Sequence, residues 1–168
     1  MRGGGVKLLG SEAPVVGSGF YLGKAGDGTS YMYVAPKSTE VQRAWGSYGT
    51  DRNTTSTIDG VANTTTLFGF GSAAHPAAYY AKALTTGGYN TWYLPAKDEL
   101  NTLYSNKSAV PFATANGFIT SYGHWTSTEF NSVGAWTQHM GFGNQGANLN
   151  PGKNNSLSFV RAVRRSAV

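Results

Sequence analysis

The sequence predicts an α+β domain, and three observations carry that prediction. Runs with strand character lie near both ends of the chain, and two helical patterns occupy its middle. The 23 glycines in 168 residues are about twice the usual ~7% share, which calls for many tight turns and irregular loops rather than long helices. Hydrophobic residues make up 40% and aromatics 13%, enough for the core of one domain. Charged residues are only 12%, about half the usual roughly 25%. The surface must therefore be built from Ser, Thr, Asn, Gly and Tyr. Disorder is not expected, because disordered chains are charged and poor in aromatics.

Residues 1–18 read as a flexible lead-in or a joint to a preceding module, and residues 19–168 as the domain. The domain opens with a β-hairpin: 20–22 and 31–34 are strand-like, Gly26-Asp27-Gly28 supplies the turn, and Pro36 ends the second strand. Residues 38–71 read as a long polar loop, with Trp45 and Ile58 as anchors beneath it. A first helix is expected over 72–86, with Pro76 in its first turn and Gly87-Gly88 as its stop. A second is expected over 96–106, entered through Pro95, with Leu100, Leu103 and Tyr104 as its buried stripe. Asp98 and Glu99 sit in its first turn, where the helix dipole favours negative charge. Three strands follow, over 124–128, 135–140 and 157–163. Alternation in AWTQHM puts Trp136, Gln138 and Met140 on the core face and Thr137 and His139 on the other. A buried Gln138 needs hydrogen-bond partners.

The formal net charge is +5, but the cations form no stripe. Arg161, Arg164 and Arg165 are the only tight group, so nucleic acid is not an expected partner. The chain has no cysteine, which excludes disulfides and thiolate metal sites. The start MRGGGVKLLGSEAPVVG lacks the apolar run of a signal peptide. No apolar run reaches ~18 residues, so no membrane insertion is expected.

Few motifs suggest chemistry. The stretch from Gly141 to Gly146 fits G-x-G-x-x-G, but Asn150-Pro151-Gly152 soon follows and no helix starts there, so it reads as a turn rather than a dinucleotide site. His75, His124 and His139 are isolated in sequence and have no ligand spacing, so no metal or cofactor is expected. His124 and His139 read as surface aromatics or hydrogen-bonding groups. No pair of carboxylates is nominated for catalysis. Glu129 is an acid in a neutral, aromatic-flanked block. It is expected to form a partly buried ion pair with Arg161 or Arg164.

Four blocks together resemble a known family: VAPKSTEVQRAWG, HPAAYYAKAL with GGYNTWYLPAKDELNTLY, HWTSTEF with Ala135-Trp136, and FVRAVRR. The chain is similar, from about residue 19 to 165, to the Lcl-type C-terminal domain family, which has a C-type-lectin-like fold and occurs at bacteriophage fibre ends and in bacterial surface adhesins. Ala96 departs from the family's Ser or Thr at the helix start, leaving a capping box with Glu99 incomplete. The calcium-binding motifs of sugar-binding C-type lectins are missing.

The resemblance implies two helices packed on small twisted antiparallel sheets, with paired N- and C-terminal strands and long irregular loops. It implies structural roles for Trp92, Leu94, Trp125, Glu129, Trp136, Arg161 and Arg164. It further implies a non-enzymatic receptor-binding domain, exposed on a virion or, alternatively, on a bacterial surface. A host cell-surface glycan or protein would be its partner, beside other virion chains, with a homotrimer as one arrangement. The binding face would use Phe130, Asn131, Thr137, His139, Phe142, Asn144, Gln145, Asn148 and Asn150, combining aromatic area with adaptable hydrogen bonds. A decoration domain that binds nothing is the competing expectation.

Overall fold

Glycine punctuation cuts the described residues into short strands, which assemble into two sheets with four helices. The computed structural model describes residues 7–13, 17–148 and 152–166. The first sheet has the order β1 (Phe20–Lys24), β2 (Tyr31–Val34) and β8 (Val163–Ser166), all antiparallel. The predicted hairpin is present, and Asp27 Oδ1 accepts the N–H groups of Thr29 and Ser30 across its turn. The C-terminal strand pairs with β2 rather than β1. Part of the expected lead-in lies along β1: Gly10 N–H donates to Tyr21 O and Tyr21 N–H to Ser11 O.

The second sheet runs β3 (Val41–Gln42), β7 (Phe159–Val160), β4 (Gly123–Glu129), β5 (Ala135–His139), β6 (Gln145–Asn148). Its pairings are antiparallel except β4 with β7, which is parallel. The single strand expected over 157–163 is therefore corrected to two, in different sheets. Leu157 lies outside both and is half-exposed. The chain changes sheets at Arg161-Ala162, where Ala35 N–H donates to Ala162 O.

The helices are α1 (Gly60–Phe68), α2 (Pro76–Ala83), α3 (Lys97–Asn106) and α4 (Phe112–Ala115), twice the number expected. The sequence GVANTTTLF has poor intrinsic helix propensity, which is why α1 reads as loop. Tertiary contacts supply what propensity lacks. Asp59 caps the helix by accepting the Ala62 N–H, Leu67 is buried, and Thr64 Oγ1 both donates to Leu94 O and accepts Leu94 N–H at 3.1 Å. Trp45 is buried as expected, but Ile58, expected beside it beneath the loop, is 52% exposed. The α2 helix starts at Pro76, four residues later than predicted.

Apolar faces meet in two clusters. Phe20, Leu22, Met32, Val34 and Val163 of the first sheet pack against Leu100, Leu103, Phe112 and Met140. Trp45, Trp92 and Trp125 pack with Leu94, Val160 and the alanines of α2. All three Trp rings are fully buried, and their Nε1–H groups donate to Thr126 O, Thr86 O and Arg43 O respectively. Burying ~200 Å² per ring at ~25 cal/mol per Å² stabilises the fold by roughly 5 kcal/mol each, as an upper bound.

Candidate binding surface

The β5–β6 hairpin is held against α3. Gln138 is fully buried and its Nε2 donates to Asn101 Oδ1 at 2.8 Å and to Gly143 O at 3.1 Å. Gln145 Nε2 donates to Lys97 O at 2.8 Å and to Gln138 Oε1 at 3.2 Å. Gln145 was expected in the displayed set, but its amide is committed to the scaffold. Trp136 was expected in the core and is only half-buried. Lys97 Nζ stands 4.1 Å from its ring centroid and the Phe130 ring meets it edge-on at 5.5 Å. The start of α3 offers Trp136 a cation instead of an apolar wall.

The turn after β5 is built on His139. Its Nδ1 accepts the N–H groups of Gly141 and Phe142 at 3.1 and 3.2 Å. The Phe142 ring stacks on the imidazole at 4.7 Å and 26° and remains 83% exposed. Gly143 has φ +84°, and a Cβ there would come within 2.3 Å of the Tyr104 ring. The turn is thus seated against α3 with its aromatic tip outward. Asn144 is exposed beside it and its carbonyl accepts His139 N–H at 3.1 Å.

The other expected residues lie elsewhere. Phe130 is 46% exposed in the β4–β5 turn. Asn131 Oδ1 accepts the N–H groups of Val133 and Gly134, so its side chain shapes that turn. Asn148 pairs across from Ala135, and Thr137 Oγ1 donates to Gly146 O. Four strand steps separate the Phe130 end from the His139 end, about 13 Å. The expected set forms two patches, with Asn150 outside the described residues.

The buried charges pair differently from expectation. Glu129 meets Lys153 rather than Arg161 or Arg164. Its carboxylate also accepts Arg52 N–H at 2.9 Å, and Lys153 donates to Thr50 O at 2.9 Å. Arg161 pairs with Glu40 at 2.8 Å and donates to Ala35 O and Asn116 O. Arg164 donates to Ser18 O at 2.6 Å and lies 3.9 Å from the Tyr89 ring centroid. The separation of Glu129 and Lys153 in sequence hid their pairing. The available signal was scarcity: Glu129 is the last acid of the chain, and Lys153 is the only Lys or Arg between Lys107 and Arg161.

His124, expected as a surface aromatic or a hydrogen-bonding group, is the latter: it is fully buried and bonded through Nε2 to Glu40. Burial pushes the Glu40 carboxyl up, but the hydrogen bond from His124 and the charges of His124 and Arg161 outweigh it, so the carboxyl stays below its ordinary range. Glu99 is also committed: it accepts from Ala96 N–H at 2.9 Å, Tyr93 OH at 2.9 Å and Arg165 Nη2 at 2.8 Å. Among the described residues no His, Asp or Glu group is arranged to hold a metal ion. Among the described residues no helix is long and apolar enough to cross a membrane.

Residues 35–164 match a family model described as the Lcl C-terminal domain. No curated protein matches the chain.

Proposed function

The chain belongs to the Lcl C-terminal domain family, and from that premise we propose that it is a non-enzymatic receptor-binding module of C-type-lectin-like fold. In this reading it sits at an exposed fibre tip of a bacteriophage virion and engages a host cell-surface glycan or protein. One observation carries the reading. Phe142 is 83% exposed on a turn that His139 and Tyr104 hold rigid. An exposed aromatic on an ordered turn gives contact area with little entropy left to lose on binding. The commitment of the buried acids supports the non-enzymatic part. Glu40, Glu99 and Glu129 all hold scaffold cations; Asp51 lies beside Glu129, but Lys153 and the Arg52 amide already occupy that carboxylate. Repeated copies on a fibre would turn modest affinity into avidity.

The test is binding of the purified chain to glycan arrays and bacterial surfaces. Phe142→Ala with Asn144→Ala should reduce binding about tenfold, the loss of one anchor contact, with an unchanged melting temperature. Full binding by that variant, on any surface the intact chain decorates, overturns the proposal.

A further inference from the structure

We propose that Arg52 and Phe70 form a second recognition site, which takes a carboxylate carried beside an apolar side chain on a protein segment. The site belongs to the Phe130 end of β5, away from the Phe142 turn. The Arg52 main chain is pinned by its N–H, which donates to Glu129 at 2.9 Å. Its Nε donates to His75 Nε2 at 3.0 Å, and its guanidinium carbon lies 4.0 Å from the Phe70 ring centroid. An edge contact and a face contact together aim a planar group that is only partly buried. Among the described residues no carboxylate pairs with this guanidinium, and nothing hydrogen-bonds its Nη atoms.

The neighbouring acids are engaged elsewhere. Glu129 holds Lys153, and Asp51 Oδ1 accepts Asn53 N–H at 3.1 Å. Arg52 and Lys153 balance Asp51 and Glu129, so recognition rests on short-range geometry rather than a long-range field. An open guanidinium edge matches a carboxylate through two parallel N–H···O bonds. A neutral sugar would leave that fork unmatched. His75 serves the clamp only as a neutral acceptor. Burial, with the charges of Arg52 and Lys153, pushes its pKa down to about 4, so the clamp persists at neutral pH.

The apolar half of the ligand would meet Phe70, which is 48% exposed and tilted against the His75 ring at 5.8 Å. Arginine and aromatics are the residue types that dominate energetic centres of protein interfaces.

The probe is an acetylated, amidated Phe-Glu-Phe tripeptide, titrated into the isotope-labelled chain while the Arg52 Nε–H resonance is followed. A saturable shift is expected, with at least about tenfold weaker binding of the Phe-Gln-Phe analogue, as for loss of a charge-assisted pair. Arg52→Gln and Arg52→Lys, followed at the Gly71 backbone N–H because the arginine signal is then gone, should weaken the Glu peptide similarly, because the lysine keeps the charge but loses the planar fork. Phe70→Ala should weaken it severalfold. Equal binding of the two peptides, unchanged affinity in Arg52→Lys, saturation by inorganic phosphate instead of peptide, or no shift would each overturn the proposal. The readout lies at Arg52 and Gly71, so its failure leaves the Phe142 turn untouched, and failure of the Phe142 turn leaves this site standing.

Discussion

Lys153 holds its ammonium group against Glu129 and 4.8 Å from the Trp45 ring centroid, with the side chain closed to solvent. Breaking such a pair leaves one charge buried and unmatched, at a cost of about 3–5 kcal/mol. Lys153→Met should therefore lower unfolding free energy by that amount in a denaturant titration. Adding Glu129→Gln should recover part of the loss, because no isolated charge is then left. His75 gives a pH dependence of known sign. Its folded pKa is pushed down to about 4 from an ordinary 6.5, so the unfolded chain takes up a proton first as pH falls. The stability His75 contributes is complete above about pH 6.5, is lost progressively towards about pH 4 and changes little below that. His75→Asn should flatten the slope of urea midpoint against pH across this window.

At the scale of elements, the β5–β6 hairpin and α3 form one unit. Gly143 is the joint: it needs a left-handed backbone, and Tyr104 occupies the space of a Cβ. Gly143→Ala should cost about 1–3 kcal/mol and weaken any binding that depends on Phe142, as read by thermal melting beside the array assay. The α3 helix has a further stabilisation within reach. Glu99 Oε2 accepts Ala96 N–H at 2.9 Å, which is half of a capping box, and the alanine methyl cannot complete it. Ala96→Ser should supply the missing acceptor and raise stability by about 0.5–1 kcal/mol, measured as a higher urea midpoint. Much of this scale is legible in sequence. Asp27-Gly28 marks the hairpin turn, Pro76 opens α2, and the alternation of AWTQHM places Gln138 inward; the stop expected at Gly87-Gly88 comes earlier, since α2 ends at Ala83 and Leu84 is already extended. The α1 helix was not legible, because its threonines become helical only through Thr64 bonding to Leu94.

For the whole molecule, Arg161 is the tie. It lies where the chain passes between the sheets, holding Glu40, Ala35 O and Asn116 O at 2.7–2.8 Å. Arg161→Leu should destabilise both sheets together, by about 3–5 kcal/mol, since Glu40 would lose its buried arginine partner. Tryptophan fluorescence and far-ultraviolet dichroism should then still report one coincident transition, shifted to lower denaturant. Two separate transitions would show that the sheets unfold independently. By itself the sequence determined the order and type of most elements, the burial of Trp45 and the turn that carries Phe142, because local periodicity and turn chemistry act over a few residues. Only the tertiary structure decided which charges pair, where the C-terminal run breaks between sheets and that the expected face divides in two. Glu129 finds Lys153 across 24 residues and Arg161 finds Glu40 across 121, and the choice among buried counter-charges depends on which backbone groups the packed core brings alongside them.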